Sequence, residues 1–79
     1  MKIMVNYFAV MREQRGLSSE SLETSARTIR ELFHDLSSRH GFTLDPGVVR
    51  VAVGEAFADM GRALRDGDSI TFIPPVASG

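Results

Sequence analysis

One stretch of this chain dictates what the rest can do. Thr28-Ile29-Arg30-Glu31 has the form of a capping box, in which threonine oxygen and glutamate carboxylate each satisfy an orphan backbone N–H. Ile29, Leu32, Phe33 and Leu36 follow at i, i+3, i+4 and i+7, giving a single apolar stripe that ends near His40-Gly41. A helix with one greasy stripe must bury it against something. The segments on either side alternate instead with a period of two: Ile3, Val5 and Tyr7 before it, then Val49, Val51 and Val53, then Ile70 and Phe72. The spacing therefore predicts one main helix packed on one face of a sheet.

The chain has 79 residues, enough for one small domain that buries about 60% of its unfolded surface. Fourteen residues are assigned to its core: Ile3, Val5, Tyr7, Leu22, Ile29, Leu32, Phe33, Leu36, Val49, Val51, Val53, Leu64, Ile70 and Phe72. One helix on one sheet consumes that set, leaving no apolar surplus for a cofactor pocket. The segments between are short. Ala9 to Arg15 reads as one or two helical turns closed by Gly16, and Leu17 to Thr24 as a strand in a hairpin with the first. Asp45-Pro46-Gly47 and Asp66-Gly67-Asp68 are turns, and Ala56 to Ala58 is a short return strand. The expected class is α+β, a mixed sheet of four to five strands.

Several kinds of chemistry are excluded by composition. With no cysteine there is no disulfide, thiolate metal site or cysteine nucleophile. His34 and His40 are six apart, on different helix faces, so no metal site is expected. Nine basic residues against ten acidic ones give no basic excess for nucleic acid. The longest apolar run, Tyr7 to Met11, is far too short for a membrane span, and the start lacks a signal-peptide pattern; a cytoplasmic protein is expected. Eight of the nine basic residues are arginine. Arg12, Arg15, Arg62 and Arg65 read as surface charges balanced by Glu13, Asp59 and Asp66.

The carboxyl terminus is the unusual feature. Pro74 and Pro75 hold an extended start, and Val76, Ala77, Ser78 and Gly79 shrink toward a free carboxylate. Six such residues reach about 20 Å and could thread a narrow channel. Residues 1–73 are thus expected as the folded domain and 74–79 as an extended tail.

Three stretches together resemble the small-subunit family of molybdopterin synthases, sulfur carriers with the ubiquitin-like β-grasp fold. They are Tyr7-Phe8-Ala9-Val10-Met11-Arg12-Glu13, Leu64-Arg65-Asp66-Gly67-Asp68 and Phe72-Ile73-Pro74-Pro75-Val76. The resemblance spans essentially the whole chain. It implies that this chain is a carrier, not an enzyme, and that Gly79 is the carrier residue. A ubiquitin-activating-like adenylyltransferase would use ATP with Mg to adenylate the terminal carboxylate, which is then converted to a thiocarboxylate. The large synthase subunit would take that sulfur for cyclic pyranopterin monophosphate, within a heterotetramer of two small and two large subunits. No cofactor would bind the small chain itself. The positions matching the family's large-subunit contacts are Phe8, Phe57 and Ile73, with Arg12 beside them as an ion-pair candidate. Strand parity points Phe8 and Ile73 away from the helix. The chain departs from the family at Ser78, where the family has glycine; the added Cβ and hydroxyl imply slower activation or a poorer fit in the channel. A carrier for another pathway, such as thiazole formation, and a ubiquitin-like modifier or binding module are the alternative readings.

Overall fold

The computed structural model describes residues 1–75; Val76, Ala77, Ser78 and Gly79, and with them most of the tail expected over 74–79, lie outside the described residues. In chain order the elements are β1 (Lys2–Tyr7), α1 (Ala9–Arg15), β2 (Ser19–Glu23), α2 (Ile29–His40), a 3-10 turn (Pro46–Val48), β3 (Arg50–Val53), β4 (Ala56–Ala58) and β5 (Ser69–Ile73). They form a five-stranded sheet in the order β2-β1-β5-β3-β4. The hairpins β1–β2 and β3–β4 are antiparallel, β5 is antiparallel to β3, and the central pair β1–β5 is parallel. This is the expected α+β mixed sheet with one main helix across it.

The main helix forms for the reasons legible in its sequence. Thr28 Oγ1 accepts from the Glu31 N–H at 3.2 Å, and the Glu31 carboxylate accepts in return from the Thr28 N–H at 3.3 Å. At the other end Gly41 takes φ 69° and donates its N–H to the Ser37 carbonyl at 2.9 Å, a left-handed cap that a glycine adopts without penalty. Ile29, Leu32, Phe33 and Leu36 are all buried beneath it.

The core differs from the sequence expectation at its edges. Leu22 and Val53 are only half-buried, because β2 is an outer strand and Val53 ends β3 at the Gly54-Glu55 turn. Met11, Ala26, Phe42 and Met60 are buried instead. Phe42 lies past the end of α2, where no periodicity marks it. Its ring centroid stands 5.8 Å from Tyr7 and 6.3 Å from Phe33, which in turn meets Phe72 edge-on at 5.5 Å. Such aromatic contacts add to the area they bury.

The expected Asp66-Gly67-Asp68 turn fastens the sheet from below. Asp66 Oδ1 accepts from the Lys2 N–H at 2.7 Å, Gly67 donates to the Lys2 carbonyl at 2.7 Å, and Asp68 Oδ2 accepts from the Arg65 N–H and the Arg62 guanidinium. Strain appears at one non-glycine residue among those described: Ala9, which opens α1 with φ 51°. An L-residue in that left-handed region costs about 1–2 kcal/mol. Ala9→Gly is therefore expected to hold stability level or raise it by up to about 1 kcal/mol, although glycine inside an ordinary helix costs about that much. Urea titration of the two proteins decides it; a loss approaching the ordinary helix penalty would show that Ala9 is unstrained.

Candidate functional site

The sheet has one covered and one open face, and strand parity sets which residues occupy each. Ile3, Val5 and Tyr7 of β1, Ile70 and Phe72 of β5 and Val51 of β3 lie against α2. Their neighbours point the other way. Across the open face, Asn6 stands beside Thr71, Thr71 beside Ala52, and Ala52 beside Phe57. Asn6 Nδ2 donates to both Ser69 Oγ and Thr71 Oγ1 at 3.2 Å, so this part of the face is neutral and hydrogen-bonded within itself.

One step further along, Ile73 stands beside Arg50. The parallel pairing of Tyr7 with Phe72 brings Phe8, the next residue, to the same end as Ile73. Phe8 is 51% exposed and Phe57 is 70% exposed, both high for phenylalanine in a domain with a continuous core. The Arg50 guanidinium carbon lies 5.9 Å from the centroid of the Phe57 ring, a cation–π placement. Phe8 and Ile73 are thus neighbours, and Phe57, displaced by one row on the edge strand, joins them through Arg50. Arg12 is exposed one helical turn beyond Phe8, with its N–H directed at the Phe8 carbonyl.

The chain leaves the sheet at the same end. Ile73 closes β5, Pro74 is buried against the body, and Pro75 is exposed. The point of departure is therefore fixed by packing, between β1 and β3 and beside Phe8 and Arg50. Beside Phe57 lies a groove, open to solvent, lined among others by Arg30, Asp45, Arg50, Asp59 and Met60.

The arginine pairings are not those expected. Arg15 grips Glu20 bidentately, Nε to Oε2 at 2.8 Å and the terminal nitrogen to Oε1 at 2.9 Å, and Arg62 pairs with Asp68 at 3.0 Å. Glu13, Asp59 and Asp66 make no ion pair among the described residues. The reason is topological: β2 returns antiparallel beside β1, which lays Glu20 on the covered face across from Val5 and in reach of α1. The buried Tyr7 hydroxyl donates to the same Glu20 carboxylate at 2.7 Å. This three-residue clamp ties α1, and so Phe8 and Arg12, to the sheet.

The clamp makes stability sensitive to acid. The Arg15 guanidinium, and after it the Tyr7 hydroxyl, hold the Glu20 carboxyl below the usual glutamate range, against the opposite pull of burial. A carboxylate with a depressed folded value adds stability that is present above the unfolded value of about 4.3 and fades as pH falls through the lower folded one. Glu20→Gln is expected to destabilise at pH 7 by about 1–3 kcal/mol and then to lose less than wild type on acidification to pH 3, so that the two stabilities converge. Thermal melts across that range test it; parallel pH curves for the two proteins would remove Glu20 from the account.

The two histidines stand in different surroundings. His34 is exposed, and His40 packs near Phe42, where desolvation first and the nearby Arg15 second lower its pKa. Among the described residues no group of three potential ligands gathers, and no helix is long and apolar enough to cross a membrane. Sequence reasoning missed Arg50 and Glu20. Parity held both signals: Arg50 alternates with Val49 and Val51, and Glu20 shares the parity of Leu22.

The profile of the ThiS family matches residues 5–79. The molybdopterin synthase sulfur carrier subunit of Haemophilus influenzae is 31% identical over 78 residues, covering 95% of this chain and 96% of that one. Among solved structures, a Pyrococcus furiosus protein described as a candidate molybdopterin converting factor, subunit 1, superposes with a TM-score of 0.79 at 29% identity, over 96% and 99% of the two chains. A complex of subunits 1 and 2 of the molybdopterin-converting factor from Helicobacter pylori contains a chain similar at a TM-score of 0.68 and 26% identity, each covered completely. A β-grasp sheet with one open face and a proline-led exit coincide with this nearly whole-length match: the chain belongs to the ThiS family.

Proposed function

We propose that this chain is the sulfur-carrier subunit of molybdopterin synthase, and that it carries sulfur as a thiocarboxylate on Gly79. The observation that carries the reading is the coincidence at one end of the sheet: Phe8, Ile73, Arg50 and Phe57 gather at the end of the open face where the chain leaves β5 at Pro74. The H. influenzae relative bears the sulfur-carrier name, and the H. pylori structure pairs its subunit 1 with a subunit 2. A large subunit docked on this face would receive the terminus without any change in the carrier's body.

The chemistry asks little of the carrier. A carboxylate is a poor electrophile; adenylation by an ATP- and Mg-dependent activating enzyme supplies a leaving group, and sulfur then displaces AMP. Glycine at the reacting carbonyl leaves the approach open. Catalytic side chains belong to the partners. Ser78 keeps that carbonyl on glycine and adds bulk one residue earlier, so activation proceeds, more slowly than with glycine. Phe8, Phe57 and Ile73 supply the apolar contact, Arg12 an ion pair, and the assembly is a cytoplasmic heterotetramer.

Intact-mass measurement tests the reading. Incubation with the activating enzyme, ATP, Mg and a sulfur donor is expected to add the mass difference of one sulfur replacing one oxygen. An unchanged mass, in a reaction that converts another carrier of the family, would overturn it.

A further inference from the structure

The open face holds few charges. Among the described strand residues on it, Lys2 and Glu23 stand across from each other at the far margin, and Arg50 is the one other ionised side chain. Arg15 and Arg62 have carboxylate partners; Arg50 has none within ion-pairing distance among the described residues, although Asp45 and Asp59 line the same groove. What Arg50 has instead is the Phe57 ring, 5.9 Å from its guanidinium carbon. A planar cation stacked on an aromatic face is restrained, and its N–H edge remains available for a forked pair with a carboxylate.

Any protein that covers Phe57 and Ile73 takes Arg50 out of water as well. A buried guanidinium without a counter-charge is strongly unfavourable, so a partner that binds this face must bring an acceptor. We propose that Arg50 is a specificity-determining residue of the docking surface, pairing with an aspartate or glutamate side chain that the large subunit presents between its contacts to Ile73 and Phe57. The pairing rests on the docking reading above and adds the chemistry of the partner. A large subunit with an apolar or basic residue at that place would be rejected, which makes Arg50 a filter against non-cognate partners.

Calorimetric titration of the full chain with the large subunit from the same organism separates the two ideas. Arg50→Glu is expected to weaken binding by about 100-fold or more, and Arg50→Met by about 10-fold, roughly the range found for reversed or truncated interface charges. Both variants should melt like wild type, because Arg50 is exposed. Phe57→Asp serves as the control for the face itself. If Phe57→Asp abolishes binding while Arg50→Glu stays within about twofold of wild type, a change of under about 0.5 kcal/mol, the proposal for Arg50 fails and the docking face stands. An Arg50→Glu loss no greater than the Arg50→Met loss also overturns it, since shape and not charge would then be at work. If Phe57→Asp binds normally, the docking reading fails and the Arg50 pairing falls with it.

Discussion

A chain lacking Gly79 is expected to gain no sulfur at all from activating enzyme, ATP and sulfur donor, while melting at the same temperature as the full chain. The two halves of that result come from different parts of the molecule. Folding draws on the sheet and α2, and the last residue that packs against them before the described chain ends is Pro74. On the proposed function, deleting Gly79 would leave a serine carboxylate one residue short of where a partner's active site meets the chain. Misplacing a reacting carbon by even about 1 Å can cost about 100-fold in rate, and one residue is about 3.3 Å. Mass spectrometry reads the first half and calorimetry the second. A truncated chain that still acquired sulfur would move the carrier function away from the terminus. The counterpart, Ser78→Gly, is expected to speed activation severalfold by removing the Cβ and hydroxyl beside the reacting residue.

Phe33→Ala is expected to remove a large share of the domain's stability, about 3–5 kcal/mol. Phe33 is 1% exposed and touches the two aromatic rings of Phe42 and Phe72, so its removal leaves a void lined by residues from α2, the following loop and β5. Phenylalanine-to-alanine changes in cores cost about 3–5 kcal/mol. At about 0.05–0.15 kcal/mol per residue, a chain of this length holds only roughly 4–12 kcal/mol in all. Chemical denaturation followed by circular dichroism gives the answer. A loss below about 1 kcal/mol would mean that the aromatic cluster repacks freely, contrary to the close packing of protein interiors.

The elements that sequence alone reveals are those whose stabilisation is local or periodic. The capping box, the α2 stripe, the valine alternation of β3 and the Asp66-Gly67-Asp68 turn each carry their cause within a few residues. Phe42 and Met60 carry none: both are buried by elements distant in the chain, so no window around them shows a pattern. The candidate face divides the same way. Parity around Tyr7 and Phe72 turns Phe8 and Ile73 outward, and the parallel β1–β5 pairing then sets them side by side. The pairing of Arg15 with Glu20 instead of Glu13 depends on the β1–β2 register, a non-local fact. Arg50 stacks on Phe57 because β3 and β4 form a tight hairpin whose register places Ala52 across from Phe57.

On the proposed function the carrier hands its end to one enzyme, withdraws it and hands it to another, and each withdrawal would tug on the chain. The strand that bears the load, β5, is held between β1 on one side and β3 on the other. A pull along it strains both ladders in shear, so their bonds resist together and do not peel away singly as they would from a margin. Forced opening is governed by the unfolding barrier, and this geometry raises that barrier along the direction in which the protein is pulled. Were the terminal strand at the rim, where β4 lies, the same tug would unzip it.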